Sequence, residues 1–167
     1  TVKSQVYTDE MVDKTGFYKA LWGEHYRELY GTEVTAKTVL LDTLYGGLKV
    51  IRAGGGHQTR SLRLEDKEGR TYNMRALKKS AVQFLQTVII KDKEIENDFL
   101  NTIPEDLILD FYTAAHPYGA FTIPKLAEAA SILHTKPKLF YVPKQKALGN
   151  FNADYGDELY MIVERPD

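Results

Sequence analysis

Between Gly46 and Lys79 glycine interrupts the chain at every connection, as Gly46-Gly47, Gly54-Gly55-Gly56 and Gly69, and the runs between are too short for stable helices. Arg60 to Glu65 alternates strictly, with Leu62 and Leu64 on one side and Ser61, Arg63 and Glu65 on the other. That is the period of a half-buried strand. Asp66-Lys67-Glu68-Gly69 has the composition of a tight hairpin loop, Gly69 supplying the positive φ. Arg70 to Lys78 follows as the partner strand, with Tyr72, Met74, Ala76 and Lys78 on one face and Arg75 on the other. Leu48 to Arg52 alternates more weakly and is expected to break at the triple glycine. A meander of three short antiparallel strands is the arrangement these residues allow.

The remaining chain is expected to fold around that meander. Residues 1–14 are polar and aperiodic and read as a lead-in arm, with a single α+β domain over 15–167. From Thr15 to Tyr30, Phe17, Tyr18, Leu21, Trp22, Tyr26, Leu29 and Tyr30 recur at three and four, which predicts a helix packing an aromatic face on the body. Gly31 would stop it. Val39 to Tyr45 reads as a strand or an extended connector. Ser80 with Gln83 would cap a short helix, and Thr102 with Glu105, with Pro104 in the first turn, a second helix holding Leu107, Ile108, Phe111 and Tyr112. Pro124 opens a further helix, Leu126 to Leu133, and Lys138 to Val142 is a strand. Leu159 to Val163 is apolar on both faces and should be a central strand covered on both sides. Together these predict a mostly antiparallel sheet of about five strands with helices on one side.

Composition limits the chemistry more than it directs it. In 167 residues there are no cysteines, which excludes disulfides, thiolate metal sites and a cysteine nucleophile. With 22 basic and 23 acidic side chains the charge is balanced, and nothing demands nucleic acid as a partner. No apolar run approaches the roughly 20 residues of a membrane-spanning helix, and no Walker loop, nucleophile elbow or His-x-x-x-His spacing occurs. His116-Pro117-Tyr118 reads as a helix end rather than a catalytic group, and Lys136, Lys138, Lys144 and Lys146 as the exposed side of a strand and its loop. His57-Gln58-Thr59 could bind phosphate or equally close their own loop by local hydrogen bonds. A chain starting at Thr1 and ending just after a strand-like run is expected to be a segment of a longer protein.

Several runs carry a resemblance. Trp22-Gly23-Glu24-His25-Tyr26-Arg27-Glu28-Leu29-Tyr30, Gly54-Gly55-Gly56-His57-Gln58-Thr59-Arg60-Ser61-Leu62-Arg63-Leu64, Ala115-His116-Pro117-Tyr118, His134-Thr135-Lys136-Pro137-Lys138-Leu139 and Glu164-Arg165-Pro166 resemble a region of large bacterial envelope proteins of the metallophosphoesterase and surface-antigen kind. The resemblance implies a periplasmic or outer-membrane location and the parent protein's other domains as partners. It implies no activity for this region, which lacks the clustered ligands of a two-metal phosphoesterase.

The chain also resembles, less closely, the N-terminal lobe of atypical kinases of the spore-coat and toxin-antitoxin type. That resemblance implies a phosphate-covering loop at Gly54, Gly55 and Gly56 with His57, Gln58 and Thr59, and a phosphate-pairing cation at Lys78 or Arg75. Asp110 or Glu105 would be the acid that orients the cation, and Glu164 would begin the hinge. The loop departs from Gly-x-Gly-x-x-Gly, and Lys79 is a rival cation. The segment itself would catalyse nothing, with ATP and magnesium engaged only in the full-length protein. The alternative is a structural module joining a phosphoesterase domain to a membrane barrel, with no ligand.

Overall fold

The computed structural model describes residues 1–24, 27–55, 59–80 and 116–165. Seven strands form one mixed sheet: β1 (Val2–Ser4), β2 (Val34–Thr38), β3 (Lys49–Gly55), β4 (Arg60–Glu65), β5 (Thr71–Ala76), β6 (Lys138–Val142) and β7 (Glu158–Glu164). Their spatial order is β1-β2-β6-β7-β5-β4-β3. The β2–β6 ladder is parallel and the other ladders are antiparallel. Five short helices are described: α1 (Asp9–Val12), α2 (Gly16–Trp22), α3 (Arg27–Tyr30), α4 (Ile123–Ala129) and α5 (Asn152–Tyr155). The class is α+β, as expected, but the sheet has seven strands and one parallel pairing instead of about five strands.

The alternation read in the meander sets the core. Leu62 and Leu64 of β4, Tyr72, Met74 and Ala76 of β5, and Tyr160 and Ile162 of β7 all fall on one face and are buried. Residues 39–50 and 145–155 cover them with Leu41, Leu48, Leu148 and Tyr155. The opposite face of β7 carries Leu159, which packs with Val6, Tyr7, Tyr30, Ala36 and Leu77. β7 is therefore central and covered on both sides, as its two apolar faces predict. Helical residues sit on both faces, Tyr155 of α5 on one and Met11 and Tyr30 of α1 and α3 on the other, which corrects the expectation of helices on one side.

Other local expectations change for physical reasons. The 1–14 segment is built in: β1 pairs with β2, Val6 and Tyr7 are buried, and the Tyr7 hydroxyl accepts from Lys79 N–H at 3.1 Å. The 15–30 helix is interrupted after Trp22, where Gly23 takes φ 80°; Phe17, Leu21 and Trp22 stay exposed while Tyr30 is buried against Tyr7, so the expected aromatic face does not pack down as one surface. Val39 to Tyr45 is a connector, since β2 precedes it and the turn at Leu44–Gly46 follows. Gly69 does take φ 84° in the hairpin between β4 and β5. The expected helices after Ser80 and Thr102 lie outside the described residues.

Candidate functional site

Among the described residues, those singled out in the sequence are not gathered at one point. Gly54 and Gly55, expected to be loop, belong to β3 and pair with Ser61 and Arg60. Neither is among the glycines at positive φ, so the ladder holds them extended. Gly56, His57, Gln58 and Asp110 lie outside the described residues, and Thr59 directly precedes β4. Arg75 is exposed on β5 opposite Ser61, so the Gly54, Ser61 and Arg75 positions share one rung. Lys78 is not on the strand, which ends at Ala76. It lines a cavity of about 240 Å³ with Asp157 and Glu158. Glu164 lies opposite Tyr72 at the other end of β5. Tyr72 and Ala76 are four residues apart, about 13 Å at the usual strand rise.

Glu164 instead borders a cleft of about 930 Å³ on the same face as the main core. Its centre is a stack of two rings. Tyr72 is buried on β5, and Tyr45 lies on it with centroids 5.2 Å apart and planes 13° from parallel. Tyr45 reaches this position from a left-handed backbone, φ 53° and ψ 35°, a conformation that costs a non-glycine residue roughly 1–2 kcal/mol. The flanking turn enforces it. Gly46 and Gly47 also take positive φ, and a side chain on Gly47 would meet the Asp42 carbonyl at 2.9 Å. The Lys138 ammonium sits 5.5 Å from the Tyr45 ring centroid, in cation–π range.

The cleft wall is braced from below by Asp66. Its side chain is only 2% exposed and accepts hydrogen bonds from Glu68 N–H at 2.9 Å, Arg70 N–H at 3.0 Å, Arg70 Nε at 2.8 Å and the Tyr72 hydroxyl at 3.3 Å. Burial pushes this carboxyl up, but the Arg70 and Glu68 hydrogen bonds outweigh it and hold it below the usual carboxylate range. Arg70, also 3.0 Å from Glu68, is thereby fixed beside Tyr72. On the opposite wall Lys136 pairs with Glu128 at 2.7 Å, and His134 Nδ1 is 2.9 Å from the Ile132 carbonyl. Ile162 and Val163 line the same cleft, and fully exposed Leu133 stands at its edge.

Such a cleft can hold a planar ring against Tyr45 and an anionic group near Lys136, Lys138 and Arg70. Among the described residues no group of three or more His, Asp or Glu side chains is placed to hold a metal ion. The site-forming residues missed in the sequence are Tyr45, Tyr72 and Lys138. Only the Tyr45-Gly46-Gly47 turn gave a local signal. Comparisons with family models, with curated proteins and with solved structures returned no match.

Proposed function

We propose that this chain is a non-catalytic nucleotide- or phosphate-binding unit of a bacterial envelope protein, and that the nucleotide lies in the Tyr45–Tyr72 cleft. The base stacks on Tyr45, Lys136 and Lys138 attract the phosphates, and Glu164 accepts a hydrogen bond at the polar edge. The carrying observation is the strained Tyr45, whose ring is fixed over Tyr72 with an ammonium beside it. Strain of this kind persists where surrounding structure over-determines it, often at ligand sites.

Connectivity supports the kinase-lobe reading of the fold. The β3-β4-β5 meander is followed by a long connection, and β7 returns beside β5 with Glu164 at its end. Ala76, however, is buried in the same core cluster as Tyr155 and Leu148, so the base is assigned to the Tyr72 end of β5. Magnesium would arrive with the phosphates. Titration with ATP, ADP and adenosine tests the reading. Saturable binding that weakens about tenfold in Tyr45→Ala and in Lys138→Ala is expected. Equal affinity in both variants would remove the cleft from consideration.

A further inference from the structure

The other face of the meander carries a different feature. Arg52 of β3 lies directly opposite Arg63 of β4, and Asn73 of β5 continues the same rung. Two residues along, Arg75 projects from the Gly54–Ser61 rung on this face. Arg165, whose N–H donates to the Thr71 carbonyl at 2.8 Å, brings a fourth guanidinium. Among the described residues none of these four guanidinium groups has a hydrogen-bonded or ion-paired acid; Glu65, on the same face, lies opposite Lys49. Like charges directly opposite on neighbouring strands are destabilising. Loss of solvent and then the Arg165 and Arg52 charges press the Arg63 guanidinium below its ordinary pKa, and Arg75 adds to the burial that lowers Lys79.

The backbone is arranged to create this crowding. The register of β3 on β4 shifts between Val50 and Arg52, so Ile51 is an extra residue. Val50 pairs with Leu64 on the core face; without the bulge, Ile51 would oppose Arg63, and Arg52 would oppose Leu62 and point into the core. Re-aiming a side chain is what bulges do near functional sites. A Cβ at Gly54 would come within 3.2 Å of Ser61 Oγ, so glycine keeps the neighbouring rung open.

We infer that this face is a second anion site, for a soluble ligand carrying two linked phosphates. Arg52 and Arg63, on strands about 4.8 Å apart, take one phosphate in the planar, forked geometry guanidinium groups favour. The second phosphate extends to Arg75, with Asn73 and Ser61 as neutral donors. A diphosphate suits four cations gathered on a few rungs; the apolar neighbours on this face, Val163 opposite Asn73 and Met161 opposite Arg75, are half-buried and add little exposed apolar surface beside them.

Calorimetric titration with sodium pyrophosphate tests this site. One-to-one binding is expected, weakened about tenfold or more in Arg52→Gln and in Arg63→Gln and unaltered in Tyr45→Ala. Absence of binding at millimolar pyrophosphate, or equal affinity in the arginine variants, overturns the inference. Loss on Tyr45→Ala instead would put the ligand in the cleft and also overturn it. A second measurement needs no ligand. Arg63→Gln should raise the melting temperature at low salt, and the gain should vanish near 1 M salt, where screening acts within about 3 Å; a lower melting temperature at low salt contradicts the repulsion on which the site rests.

Discussion

At the scale of single residues, Asp66 and Tyr45 show how this chain fixes a side chain where it would not otherwise settle. Asp66 is an acceptor for two backbone N–H groups, a guanidinium and a phenol, all within the hairpin it closes. Since its folded pKa lies below the unfolded value, its contribution is present above about pH 4 and is lost as pH falls through the folded value. Asp66→Asn should therefore lower the melting temperature by several degrees at pH 7, with the deficit shrinking below pH 4; a constant deficit from pH 7 to pH 2 would refute this ionic role. Asp66 was legible only as a turn residue, because its donors Glu68, Arg70 and Tyr72 all come from the following turn and strand. Tyr45 was less legible still. Nothing in its neighbours names Tyr72 or Lys138, which reach it through sheet pairing and not through local periodicity.

Among elements, the strands with a strong local period were the ones that could be read. β4 declared itself through Leu62 and Leu64, and β7 through apolar side chains on both faces, which is the pattern of a strand with two covers. By contrast β2, with the sequence Val-Thr-Ala-Lys-Thr, shows little alternation of size, and its parallel partner β6 lies far along the chain. The triple glycine misled for a similar reason: glycine permits a turn, but the Gly54–Ser61 and Gly55–Arg60 pairings draw two of the three into the ladder. The two faces of β7 give a graded prediction. Ile162 is 1% exposed in the main cluster, so Ile162→Ala should cost about 2–5 kcal/mol. Val163→Ala, half-buried on the opposite face, should cost less, about 1 kcal/mol. Chemical denaturation of the two variants, with similar costs as the contrary result, checks the assignment of faces.

For the molecule as a whole, the N-terminal segment is part of the body. Val6 and Tyr7 complete the smaller cluster with Tyr30, Ala36, Leu77 and Leu159, and β1 extends the sheet beyond β2. Deleting residues 1–14 should therefore lower the melting temperature by several degrees or more and uncover Leu159; a truncated chain melting with the parent would show the segment to be dispensable. Its place in the sheet was not legible because three residues pairing with β2 leave almost no periodic trace.

The central position of β7 also bears on how the chain reaches this state. Among the described residues it is the last of the seven strands to be synthesised, yet it joins the β1-β2-β6 group to the β5-β4-β3 group, which share no described ladder without it. The meander can close early through local contacts, whereas β2 and β6 must find each other across a long separation. Until residues 158–164 insert, the inner edges of β5 and β6 remain open to pairing with another chain, so domain exchange and aggregation are the hazards of this order.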